Sequence, residues 1–146
     1  MTASVSLQDP YSTHILPKIY NTAMSQFKDK IIQITKLIPK GTVVSYGQVA
    51  LMAGIPRAAR QVGWVLHEYG DKLPWWRVIN NAGRISTKCT EHTAVTQKEL
   101  LEKEGIVVKK QIYIDIEKYR FRPSPALLLK LELENEYIDQ VLNKYL

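Results

Sequence analysis

Cysteine is nearly absent from this 146-residue chain: Cys89 is the only one. That excludes an intrachain disulfide framework and a cysteine-built metal cluster, and it fits a reducing compartment. Also missing is any apolar run close to the ~20 residues that a membrane span requires. The opening MTASVSLQDPYSTH has no apolar stretch, so no signal peptide is expected. The expected location is therefore intracellular, in cytoplasm (nucleoid) or nucleus, with no membrane partner. What remains, 45% hydrophobic and 23% charged, is the composition of one globular domain with a real core.

Negative charge is scarce where positive charge is not. The net charge is +6, and it is uneven. Residues 1–110 hold 15 Lys/Arg against 8 Asp/Glu, whereas residues 111–146 hold 5 against 6. A basic body with a near-neutral tail suits a polyanionic partner such as nucleic acid. From charge alone, a solvated basic surface is the simpler reading.

Periodicity predicts a mainly helical chain with short strands. An arm over 1–24 precedes a helix over 25–37, capped by Ser25 and burying Phe27, Ile31, Ile34 and Ile38. Ser45 and Gln48 have the spacing of a capping box. The short helix they open stops at Gly54, and Pro56 opens a second one running to about residue 67. Two short helices joined at a glycine predict a helix-turn-helix. Thr96 and Glu99 predict another helix start, and Gly105 its end. Ile112, Ile114 and Ile116 alternate with polar residues as in a half-buried strand, and Ser124-Pro125 opens a last helix to the C-terminus.

Four segments in order carry a resemblance: IPKGTVVSYGQVA (38–50), AGIPRAARQVGWVL (53–66), PWWRVINNAGRIS (74–86) and LLEKEGI (100–106). Together they resemble the C-terminal DNA-binding domain of O6-alkylguanine-DNA alkyltransferases, over nearly half the chain. The transferases carry Pro-Cys-His-Arg-Val in the third segment, where the cysteine takes the alkyl group from guanine. Here the residues are Pro74-Trp75-Trp76-Arg77-Val78. An indole has no ionisable thiol and cannot accept an alkyl group by displacement. Tryptophan in that slot is the mark of the alkyltransferase-like proteins. They bind and flip alkylated guanine without repairing it and are thought to flag it for nucleotide excision repair. Many of them keep a histidine where this chain has Trp76.

The resemblance implies a winged-helix-like helix-turn-helix domain over 25–110, with a strand and helix extension over 111–146 packed on it. It implies double-stranded DNA containing alkylated guanine as partner, with nucleotide excision repair proteins downstream and no cofactor or metal. By resemblance Arg60 is the finger that fills the hole left by the flipped base, a task suited to a planar guanidinium that can stack and still donate hydrogen bonds. Tyr46, Trp75, Trp76, Val78 and Lys88 would form the lesion pocket, with Trp76 as apt to pack inward as to extend the wall. Arg57, Ala58, Ala59, Gln61 and Gly63 would meet DNA, the small residues allowing a helix into a minor groove only ~6 Å wide. Arg77 would tie the loop to a carboxylate, and Glu104 would remain as a hydrogen-bond partner near the pocket. Tyr69 stands near a family asparagine whose bridging role it does not reproduce. Three other readings stay open: a regulator using the helix-turn-helix without lesion specificity, a divergent transferase using Cys89, and an interaction protein working through its last helix.

Overall fold

A computed structural model of the chain describes residues 17–87 and 92–145, with 17–22 described as backbone only. The expectations for Lys88 and Cys89 lie outside the described residues. The first helix, α1, spans Pro17–Leu37. It therefore begins within the expected arm, and Ser25 is an interior residue rather than its cap. Proline is well suited to a first turn, where its missing N–H has no intrahelical partner to lose. The helix ends where Ile38 precedes Pro39, a position that disfavours α geometry. Phe27, Ile31, Ile34 and Ile38 are all buried.

Strand β1 (Val44–Ser45) pairs in parallel with β2 (Val78–Ile79), in the register Val44 to Val78 and Ser45 to Ile79. Between them run α2 (Tyr46–Met52) and α3 (Ala59–Tyr69). Ser45 caps α2, its hydroxyl accepting from the Gln48 N–H at 3.1 Å. The other half of the expected capping box is absent. The Gln48 amide instead donates to the Phe121 carbonyl at 2.8 Å and accepts from Arg120 at 3.0 Å. The turn after α2 is a Schellman motif: Gly54, at φ +84°, donates to the Leu51 carbonyl and Ile55 to that of Ala50. Pro56 lies in the turn, not at the start of α3, whose cap position is Ala58.

Helix α4 (Ala94–Lys103) is capped by Thr93, whose hydroxyl accepts from the Thr96 N–H, so Thr96 is inside the helix and not its cap. Its end repeats the Schellman pattern at Gly105. The expected strand over 112–116 does not form among the described residues. Ile114 and Ile116 are buried, but the segment makes only isolated bridges, and Ile116 opens the short helix α5 (Ile116–Tyr119). Of a wing, the described residues hold only the antiparallel bridges of Tyr113 to Arg84 and Lys109.

Ser124 and Pro125 open a helix as expected, yet it is short: α6 (Pro125–Lys130) breaks before α7 (Asn135–Tyr145). Glu132 stands at the break in left-handed geometry, φ +59°, with Leu133 donating back to Leu128. This is the same stop as at Gly54, built on a residue that pays a steric penalty there. Leu128, Leu131, Leu133, Ile138, Val141 and Tyr145 join one core with α1, α2 and α3. Val43, Ile79, Ile85, Leu101, Ile106, Ile114 and Ile116 form a second. The fold is mainly helical with a two-strand sheet, and α2 and α3 are its helix-turn-helix.

Candidate nucleic-acid interface

A groove of about 990 Å³ runs beside α3. Tyr46 and Gly47 from the start of α2 line it, with Ala59, Arg60 and Gly63 from α3 and Trp75 from the turn before β2. No Asp or Glu is among the described residues that line it. Arg60 lines it and is exposed; Arg57, just ahead of α3, is also exposed but is not among the lining residues. Gly63 faces the edge of the Tyr46 ring: a Cβ there would stand 3.8 Å from Tyr46 Cε1, at ordinary van der Waals contact. Burial raises the Tyr46 phenol above its ordinary pKa, so at neutral pH it is an O–H donor and not a phenolate.

Trp75 opens a single 3₁₀ turn, Trp75–Arg77. Its indole stacks on the His92 ring, centroids 4.5 Å apart and planes at 30°. His92 is buried; its Nε2 lies 3.0 Å from Asp71 Oδ1, and its carbonyl accepts from the Thr87 hydroxyl at 2.7 Å. Gly70 makes room for this stack, since a Cβ there would meet His92 Cε1 at 3.0 Å and Trp75 Cβ at 3.4 Å.

Behind Trp75 the turn is tied to Glu104. Arg77 Nε donates to both carboxylate oxygens, at 2.8 and 3.0 Å, and Trp76 Nε1 donates to Oε2 at 2.9 Å. The Gly41 N–H donates at 3.3 Å, and Arg77 Nη1 reaches the Ile38 carbonyl at 2.7 Å. Burial pushes the Glu104 carboxyl upward, but the hydrogen bonds from Arg77, Trp76 and Gly41 and the Arg77 charge outweigh it. The net shift is below the usual carboxylate value.

Four expected site residues lie elsewhere. Trp76 does not line the groove: it meets Trp75 edge-on at 6.2 Å and packs on the second core, with its N–H drawn to Glu104. Val78 is 0% exposed, because β2 puts it in the main core. Ala58, 5% exposed, is also core, so it has no surface to offer DNA. Gln61 faces a second, smaller groove between α1 and α3, shared with Arg60 and the exposed Trp64. Tyr69 is exposed on that side, under the Lys28 ammonium at 5.1 Å. Sequence reasoning missed His92, which sits in no recognisable motif, and it missed Lys144 and Tyr145, which line the main groove from α7. Among the described residues no cluster of His, Cys, Asp or Glu could hold a metal, and no helix is long and apolar enough to cross a membrane.

Residues 26–106 match the family described as 6-O-methylguanine DNA methyltransferase, DNA binding domain. A DNA base-flipping protein of Vibrio parahaemolyticus is 45% identical over 102 residues, which are 68% of this chain and 100% of that protein. Alkyltransferase-like protein 1 of Schizosaccharomyces pombe is 32% identical over 106 residues, 68% of this chain and 98% of that one. Among solved structures, S. pombe Atl1 in complex with damaged DNA containing O6-carboxymethylguanine superposes with a TM-score of 0.62 at 31% identity. It covers 68% of this chain and 97% of its own.

Proposed function

We propose that this chain, which belongs to the 6-O-methylguanine DNA methyltransferase DNA-binding domain family, recognises alkylated guanine in duplex DNA by flipping it into the groove beside α3, and that it does not take up the alkyl group. The observation that carries this reading is Trp75, which stands on the groove wall within Pro-Trp-Trp-Arg-Val. An indole there offers a wide apolar face to alkyl groups of varied size and no nucleophile to react with them. The names of the relatives, a base-flipping protein and an alkyltransferase-like protein, support the same reading.

In this reading Arg60 enters the base stack, Ala59 and Gly63 keep α3 narrow enough for the minor groove, and Arg57 and Gln61 hold the backbone. Tyr46 donates its hydroxyl to the flipped nucleotide. Arg77 and Glu104 position the turn that carries Trp75. Residues 25–110 form the recognition unit, and 111–146 complete it. The bound complex would act as a flag for nucleotide excision repair.

The test is a titration of a duplex carrying O6-methylguanine against its unmodified twin, with an alkyl label followed in parallel. Preferential binding with no covalent label on protein is the expected result. Equal affinity for both duplexes would favour a helix-turn-helix regulator, and stoichiometric label on protein would favour a transferase using Cys89.

A further inference from the structure

We infer that the C-terminal helix supplies a cationic wall of the groove, with Lys144 placed to pair with an anionic oxygen of the bound DNA. This rests on the reading of the groove as the lesion site, and it assigns a role to a helix that lies outside residues 26–106.

The last turn of α7 returns to the start of α2. The Tyr145 hydroxyl lies 3.9 Å from where a Cβ on Gly47 would stand, and Lys144 and Tyr145 line the groove together with Tyr46 and Trp75. Two arginines fix that turn. Arg122 Nη1 donates to the Tyr145 carbonyl at 2.6 Å. Arg120 lies 4.8 Å from the Tyr145 ring centroid and donates to Gln48 of α2 at 3.0 Å. Glu117 pairs with both arginines, at 2.9 and 3.5 Å. Their charges are therefore committed to holding the helix end.

Lys144 is different. It is exposed, its ammonium 5.6 Å from the Tyr145 ring centroid, and among the described residues no carboxylate lies within ion-pair distance of it. The groove then has a cation on α3, Arg60, and another on α7, Lys144, and no acidic group among its described lining residues to neutralise either. Tyr46 and Trp75 on its walls carry no charge at neutral pH, and the rest of its described lining adds His67, His92 and uncharged polar groups but no carboxylate. A compact ammonium in such a place meets an anion as a point charge. Damaged DNA offers two: a backbone phosphate beside the flipped nucleotide, or a carboxylate borne by the alkyl group itself. A cation in a last helical turn also complements the helix dipole, but that would affect stability and leave DNA affinity alone.

The experiment compares the full chain with Lys144→Gln and Lys144→Arg on three duplexes: unmodified, O6-methylguanine and O6-carboxymethylguanine. Thermal melting of each protein accompanies the titrations. Lys144→Gln should weaken binding roughly three- to tenfold at low salt, and Lys144→Arg should restore it to within about twofold. A similar loss on all three duplexes, with the salt slope lowered by ~1, identifies a phosphate. A loss confined to the carboxymethyl duplex identifies the alkyl carboxylate. No loss on any duplex overturns the inference, as does a loss that the arginine fails to rescue. If the wild-type chain does not distinguish damaged from unmodified DNA, the lesion reading falls. The unmodified duplex still decides whether Lys144 touches DNA.

Discussion

Glu104 is where a single atom change tests how the wall of the groove beside α3 is held. Its side chain is 6% exposed and accepts from Arg77, Trp76 and the Gly41 N–H. Glu104→Gln keeps the shape and one acceptor oxygen but turns an NH₂ group toward donors. At least one N–H then faces another, and Arg77, whose side chain is 15% exposed, loses its counter-ion. Removing one partner of a buried ion pair costs about 3–5 kcal/mol. Arg77 keeps the Ile38 carbonyl at 2.7 Å and some access to water, so the lower side, about 2–3 kcal/mol, is expected. In a chain of this size that lowers the melting temperature by roughly 5–10 °C.

The sign of the pH dependence separates this mechanism from mere loss of packing. The folded Glu104 carboxyl sits below its ordinary value of 4.5. A depressed folded pKa gives a contribution that is complete above the unfolded value and lost as pH falls through the folded one. The stability gap between wild type and Glu104→Gln should thus be full at pH 7 and narrow as pH falls below about 4.5. Glu117, also lowered by Arg120, titrates in both proteins and drops out of the comparison. Denaturant unfolding at pH 7 and pH 3.5 measures both gaps. A gap of the same size at both pH values would refute the charge argument, and a variant within about 0.5 kcal/mol of wild type at pH 7 would refute the role assigned to Glu104 altogether.

Arg60→Ala should weaken lesion binding by at most a few kcal/mol, the scale of an uncompensated unstacking, and should quench the signal of a fluorescent base analogue reporting flipping. Arg57→Ala should reduce affinity for damaged and undamaged duplexes alike, and an intact flipping signal in Arg60→Ala at saturation would remove the finger assignment. Trp75→Cys alone should not transfer alkyl groups, because Trp76 stands where a histidine would activate the thiol; covalent label on the purified variant would contradict this. Glu132→Gly should raise stability by about 0.5–1 kcal/mol by relieving its left-handed backbone, and a lower melting temperature would show that the Glu side chain does more than occupy the turn.

How much of this molecule is legible in its sequence depends on how far away the deciding partner lies. Ser45, Gly54, Gly105 and Ser124-Pro125 act on neighbours a few residues off, and helix ends occur at all of them. Gln48 has the right spacing for a capping box, but its amide goes to Phe121 and Arg120, 73 and 72 residues away. The break between α6 and α7 escapes notice because Glu132 carries the geometry that glycine usually announces. The site divides in the same way. Trp75 and Trp76 are chemically identical neighbours in a 3₁₀ turn, where successive side chains point about 120° apart. Only one of them can face the groove, and local pattern gives no preference. The choice is made by Glu104, 28 residues further on, whose carboxylate accepts the Trp76 N–H and the Arg77 guanidinium together. With Trp76 and Arg77 turned to that anchor, Trp75 is left on the groove side, against His92. The groove-facing indole is thus selected by a carboxylate that is not among the residues lining the groove.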